Sequence, residues 1–181
     1  MVYYPDFLTL EEQRKLFTVC VQRIHWHSES LQIFGQQHDV PRLVAWIGDA
    51  GAEYTYSGIL HQPSEWLPEL IALKAAVEQR AETAFNALLA NRYRHGQDSI
   101  GWHADNEPEL GLKPVVASVS LGATRVFKIR TNASKQVQTL HLASGSLLVM
   151  QAGFQSLYQH CLAKTKKTVG ERINLTFRQI S

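Results

Sequence analysis

The chain has 181 residues, 45% hydrophobic and 19% charged, which supplies enough apolar material for one domain's core and excludes a disordered chain. The formal net charge of +2 hides an asymmetry: residues 1–90 carry six Lys/Arg against eleven Asp/Glu, whereas residues 91–181 carry twelve against five, a basic half suited to meeting phosphates. Cys20 and Cys161 are too few for a disulfide scaffold or a four-cysteine zinc site, and the longest run without a charge, Gln136 to Ala163, is too polar to span a bilayer.

From the N-terminus, Met1 to Lys15 shows no basic region followed by an apolar stretch, so no signal peptide is expected. With two ordinary thiols this predicts a soluble, cytoplasmic domain in a reducing compartment. Thr9-Leu10-Glu11-Glu12 is a capping box, and Leu10, Phe17, Val21 and Ile24 follow at helical spacing, predicting a helix near residues 9–24. Val44 to Tyr56, punctuated by Gly48 and Gly51, reads as short strands and turns. Ser64 is placed to cap a second helix with Pro68 in its first turn and Leu70, Leu73, Val77, Ala81 and Ala84 along one side.

After about residue 88 the texture becomes that of strands: 114–121, 125–130, 146–150 and 171–179, separated by Gly111, Gly122-Ala123, Thr131-Asn132, Ser144-Gly145 and Gly153. No repeat, low-complexity segment or linker interrupts them. Two helices ahead of many short strands predict an α+β fold, with helices backing a double-sheet jelly roll.

Trp102-His103-Ala104-Asp105 is the first element with metal chemistry, because residues i and i+2 of a strand share a face. His160 lies 55 residues after Asp105, beyond a buried strand and a turn, where a neighbouring strand can bring it close. Two histidines and a carboxylate with open positions suit a non-haem Fe(II) oxygenase. A zinc hydrolase uses similar ligands with water in the open position. The chain's end separates the two. In Arg172-Ile173-Asn174-Leu175-Thr176-Phe177-Arg178 the polar set alternates with the apolar set. One strand face then carries two guanidinium groups about 20 Å apart along the backbone, whose long side chains can bend toward a small dianion such as 2-oxoglutarate. Asn91 and Tyr93 add an amide and a phenol on another strand. His25, His27, His38, His61, His95 and His141 have no third ligand at suitable spacing.

Taken together, Pro41-Arg42, Gly48, Tyr54-Thr55-Tyr56-Ser57-Gly58, Asn91-Arg92-Tyr93, His103 to Glu107, Ala117 to Ala123, His160 and Arg172 to Arg178 resemble the AlkB family of Fe(II)/2-oxoglutarate dioxygenases from about residue 30 to 180. The resemblance implies one domain over 1–181: helices and a nucleotide-recognition lid in about 1–90, and a jelly-roll (double-stranded β-helix) catalytic core in about 91–181. It implies His103, Asp105 and His160 as Fe(II) ligands; Asp105, as such a ligand, is expected to be reachable by solvent. Asn91, Tyr93, Arg172, Asn174, Thr176 and Arg178 match the 2-oxoglutarate positions, Arg172 on the far carboxylate and Arg178 on the one near the metal.

The implied activity is O2-dependent removal of N-alkyl groups, as in 1-methyladenine and 3-methylcytosine, from DNA or RNA by a monomer with no membrane partner. A base methylated at its pairing nitrogen is cationic and cheaper to extrude, and an aromatic face favours the cation by roughly 0.5–2 kcal/mol. Trp46, Tyr54, Tyr56 and Ser57 match the lid, with His160 as the facing wall. Arg42, Lys164, Lys166 and Lys167 are candidate phosphate contacts by their charge. Glu107 is suited to hold the exocyclic amine, and Asn106 stands where close relatives often carry an acid. Two other readings keep the same residues: a 2-oxoglutarate-dependent hydroxylase of protein or small molecules, and a nucleic-acid-binding module without turnover.

Phe34, in Ile33-Phe34-Gly35, matches the wedge of duplex-acting relatives. Phe34→Ala is therefore expected to slow repair of a methylated base in a duplex by roughly tenfold, the equivalent of about 1.4 kcal/mol. Single-strand repair should change far less, because little stacking is there to restore. Equal losses on both substrates would reduce Phe34 to a support for the lid.

Overall fold

In the computed structural model, which describes residues 1–33, 36–56 and 59–181 and the side chains of all these except 31–33, 36–38, 54–56 and 59–61, the capping box forms as the sequence requires. Thr9 Oγ1 accepts from the Glu12 N–H, the Glu12 carboxylate accepts from the Thr9 N–H, and α1 runs Leu10–Arg23. Its buried stripe is Leu16, Cys20 and the capping Ile24. Leu10, expected inside, projects into solvent at the stripe's edge in the first turn.

The second helix, α2, is Pro68–Ala81. Its N-cap is Leu67, not Ser64. Ser64 instead bonds through its backbone to Trp46 and Gly48, which holds it in an isolated bridge beside Ile47. Leu70, Leu73 and Val77 are buried as expected, but Ala84 is not part of the helix, because Glu82 turns into the left-handed region at φ 53°. No helix among the described residues is long and apolar enough to cross a membrane.

Among the described residues there are thirteen strands, in chain order β1 Val2–Tyr4, β2 His27–Ile33, β3 Gln36–Gly48, β4 Tyr54–Tyr56, β5 Ile59–His61, β6 Ala87–Tyr93, β7 Ile100–His103, β8 Val116–Gly122, β9 Arg125–Thr131, β10 Val137–Leu142, β11 Leu147–Met150, β12 Tyr158–Leu162 and β13 Arg172–Arg178. A large sheet has the order β1-β11-β8-β13-β6-β3-β2, a small one β10-β9-β12-β7, and β4 pairs with β5. Each pairing within them is antiparallel. The region 44–56 forms short strands and turns as expected: 44–48 ends the 13-residue strand β3, 49–53 turns, and 54–56 is β4; the first ninety residues also give β1 to β3 to the large sheet besides the helices.

The two sheets face each other. Phe127, Ile129, Leu142 and Leu162 of the small sheet meet Val116, Leu148 and Met150 of the large one. The large sheet's other face carries Val119, Leu121, Ile173, Leu175 and Phe177, which bury Leu16, Cys20, Leu70, Leu73 and Val77 of the helices. Period-two alternation thus splits β8 and β13 between a helix-packed face and a face turned to the second sheet.

Gly122, where β8 turns toward β9, sits at φ +84°. A Cβ there would collide with the Glu171 carbonyl oxygen and the Phe17 ring. Gly122→Ala is expected to lower stability by roughly 2–4 kcal/mol, combining left-handed strain with overpacking of α1. Urea denaturation measures this, and an unchanged midpoint would show that the turn relaxes freely.

Candidate active site

The alternation of β13 places Arg172, Asn174, Thr176 and Arg178 along one wall of a cavity between the sheets. Register fixes their neighbours: Asn174 lies between Asn91 of β6 and Ser120 of β8, and Arg172 is opposite Tyr93. Arg172 Nη2 donates to Ser120 Oγ (2.9 Å) and Asn174 Oδ1 (3.1 Å), while Asn174 Nδ2 donates to Ser118 Oγ (3.1 Å) and Thr176 Oγ1 (2.8 Å). The amide of Asn174 is fully engaged. Arg172 is 1% exposed, its guanidinium stands 5.3 Å over the Tyr93 ring, and its Nε and Nη1 are buried with no partner among the described residues. Burial draws its pKa down to about 10, with the Tyr93 phenol opposing. A buried cation that keeps donors in reserve is prepared for an anion.

At the other end, Arg178 Nη2 meets Asp105 Oδ1 at 3.0 Å. Antiparallel pairing sets His160 of β12 opposite His103 of β7, their ring centroids 4.3 Å apart, and Asp105 follows two residues on. One ligand atom from each of His103, Asp105 and His160 lies within 4.8 Å of the others. His103 Nδ1 is 2.8 Å from the Gly101 carbonyl, which can only accept. Nδ1 therefore carries a proton, which leaves Nε2 as the nitrogen that can offer a lone pair to a metal.

The protonation states agree. Burial pushes Asp105 up, but the charges of Arg178, His160 and His103 outweigh it and hold the carboxyl at about 2. Burial pulls His160 down to about 4 against the opposing pull of Asp105. A neutral His160 with one nitrogen unused by any described group, a carboxylate anion at Asp105 and the imidazole of His103 fit a divalent transition metal with positions left open.

Several expectations are corrected. Asp105 is 3% exposed, not solvent-open, and its N–H donates to Gln155 Oε1 (3.0 Å), a buried amide that sequence reading missed. Arg42 is not on the surface to meet a phosphate: it is 4% exposed, and its Nε donates to Asn91 Oδ1 at 2.7 Å. Trp46 is buried with Ala52, Ala87, Leu110 and Ile180, its Nε1 donating to the Ala52 carbonyl at 2.8 Å. Asn106 is exposed, and Glu107 has a buried Oε2 with no partner among the described residues. Lys164, Lys166 and Lys167 are exposed. Phe34 and Ser57 lie outside the described residues, as do the side chains of Tyr54 and Tyr56. Ser118 and Ser120 were also missed as site residues, although their alternation in β8 carried the signal.

The model of the 2OG-Fe(II) oxygenase superfamily matches residues 1–178. The chain is 40% identical over 182 residues to the Bos taurus DNA oxidative demethylase ALKBH2, covering 96% of this chain and 63% of that one. It is 37% identical over 191 residues to the Mus musculus alpha-ketoglutarate-dependent dioxygenase alkB homolog 3, covering 98% and 65%. The chain therefore spans somewhat less than two thirds of these relatives' length. The Homo sapiens ALKBH2 protein, 40% identical, is matched over 96% of this chain and 67% of its own. A solved structure of OsALKBH1 superposes with a TM-score of 0.67 at 22% identity over 98% of this chain and 97% of that one. A Pseudomonas putida prolyl-4-hydroxylase does so with 0.62 at 16% identity over 98% and 91%. At such identities these two structures bear on the fold alone, and they bear out the jelly roll.

Asp105→Asn is expected to destabilise the metal-free protein by on the order of 3 kcal/mol, because it removes the carboxylate facing a buried guanidinium. Urea denaturation with a chelator present reads this. Unchanged stability would mean that Arg178 is neutralised by other groups.

Proposed function

The chain belongs to the 2OG-Fe(II) oxygenase superfamily and, within it, to the AlkB family, and on that premise we propose that it oxidatively removes N-alkyl groups from nucleobases of DNA or RNA. The lesions are of the 1-methyladenine and 3-methylcytosine type, and succinate, CO2 and formaldehyde are released. The observation that carries the reading is the continuity of one cavity from the His103–Asp105–His160 cluster to the arginines of β13. The nucleic-acid substrate rests on the relatives named as DNA demethylases.

In this reading His103, Asp105 and His160 hold Fe(II), which when bound supplies activation of O2 and oxidation of the alkyl C–H bond. The chain's own residues do the rest. Arg172 takes the far carboxylate of 2-oxoglutarate with the donors that protein groups leave unused. Arg178, beside Asp105, takes the carboxylate nearer the metal. Tyr93, Asn91, Asn174 and Thr176 line the path between them and fix the molecule's orientation, while Phe127, Leu162 and Met150 exclude water. Glu107 Oε2 accepts a hydrogen bond from the exocyclic amine of the lesion. Residues 1–181 act as one oxygenase domain, active as a monomer inside the cell, with the nucleotide-facing lid in the first ninety residues, where Phe34, Tyr54, Tyr56 and Ser57 lie.

The test is incubation with Fe(II), 2-oxoglutarate, ascorbate and methylated single- and double-stranded oligonucleotides, followed by mass spectrometry. Formaldehyde and restored bases are expected. Succinate without base repair would point to a protein or small-molecule hydroxylase, and no succinate to a binding module. Arg172→Lys and Arg178→Lys should each raise the 2-oxoglutarate needed for half-maximal succinate formation by roughly tenfold or more, because a lysine offers a point charge where a planar fork is required. An unchanged requirement in either variant would sink that assignment.

A further inference from the structure

Arg42 lies on β3, whose register with β6 puts Val44 opposite Asn91. Side chains two residues apart on a strand share a face, so Arg42 joins Val44 and Asn91 on the side of the sheet that lines the cavity. The carbonyl of Pro41 just before it accepts from the Ser99 N–H at 2.9 Å, which ties this part of β3 to the segment leading into β7. Arg42 and Asn91 are each 4% exposed, and Arg42 Nε donates to Asn91 Oδ1 at 2.7 Å.

That bond has a directional consequence. A primary amide is nearly symmetric in shape, and its two ends are usually told apart only by their partners. A guanidinium has five donors and no acceptor, so the atom of Asn91 that faces Arg42 must be the oxygen. The amide nitrogen, with two N–H donors, is thereby turned to the cavity. Without Arg42, either end of the amide would be free to face inward, and an inward oxygen would repel a carboxylate or keto oxygen. Burying a guanidinium is costly, and among the described residues no carboxylate pairs with Arg42. A leucine or methionine would fill the same space at less cost.

We infer that Arg42 is a positioning residue for the co-substrate: it locks the Asn91 amide with its N–H groups toward 2-oxoglutarate and does not touch nucleic acid itself. This rests on the functional reading above and assigns Arg42 a role in that same site. The chemistry recognised is an oxygen-rich dianion, and the means is an amide whose orientation is fixed from behind.

The experiment is calorimetric titration of 2-oxoglutarate into full-length protein loaded with redox-inert Mn(II), for the wild type, Arg42→Met, Asn91→Ala, the double variant and Asn91→Asp. Arg42→Met should weaken binding roughly five- to tenfold. In the Asn91→Ala background the same change should have almost no further effect, because the group it orients is gone. Asn91→Asp keeps a partner for Arg42 and its fold, yet presents an acceptor to the cavity, and should weaken binding at least as much as Asn91→Ala. This last variant decides the matter if Arg42→Met proves too unstable to titrate.

Wild-type affinity in Asn91→Asp, or losses that multiply fully in the double variant, would overturn the inference. So would an Arg42→Met protein that binds 2-oxoglutarate normally but loses affinity for a single-stranded oligonucleotide. A wild type that fails to bind 2-oxoglutarate with Mn(II) would overturn the functional reading itself, and this inference with it.

Discussion

Arg178 on the large sheet and Asp105 beyond the end of β7 meet at 3.0 Å with both side chains only 5% exposed, and this pair joins the two sheets where the chemistry lies. Each charge would be costly in isolation. Held together, they keep the carboxylate ionised and bring the last residue of β13 against the cluster of His103, Asp105 and His160. The spacing between anion-binding wall and ligand cluster is therefore set by an electrostatic requirement and not by loop geometry.

The strand that carries the arginines also carries the helix packing. Ile173, Leu175 and Phe177 are fully buried on the opposite face, with Phe177 stacked 6.4 Å from Trp66 and tilted against Phe85 at 6.1 Å. Because side chains alternate, a one-residue slip of β13 would bury the polar set under the helices and open the apolar set to the cavity. Core formation and site formation are one event here. The α1 and α2 helices, although far from the chemistry, hold the register on which it depends.

This also explains which features were legible in the sequence. The alternation from Arg172 to Arg178 shows through because the two faces of β13 have opposite environments. The pair His103 and Asp105 shows through because ligand geometry imposes a spacing of two. By contrast, Val44, Ala45, Trp46 and Ile47 are all buried, so this part of β3 has no polar face, and periodicity did not show how far the strand extends before Val44. Charge misled at Arg42, where a buried hydrogen bond to a residue 49 positions away leaves no local signal. Trp46 has the composition of a lid aromatic, and only the tertiary fold shows its indole packed inward. Gln155 was invisible for the same reason as Arg42, since its partner, the Asp105 N–H, is 50 residues distant.

The small sheet places its residues unequally. His160 belongs to β12, an interior strand paired on both sides, whereas His103 ends β7, a four-residue strand at the sheet's edge whose pairing with β12 shifts register. An edge strand is held by hydrogen bonds on one side only, and a short irregular one is among the first elements to open locally. On its outer face Arg130 stacks 4.4 Å over Trp102 while also binding Gln159, a strap from β9 across β12 to the loose strand. The cluster therefore has a fixed jaw, formed by His160 and by Asp105 tied to Arg178 and Gln155, and a movable jaw, formed by His103. Fraying of β7 withdraws one of the three ligand groups, while the other two and the arginine wall stay in place.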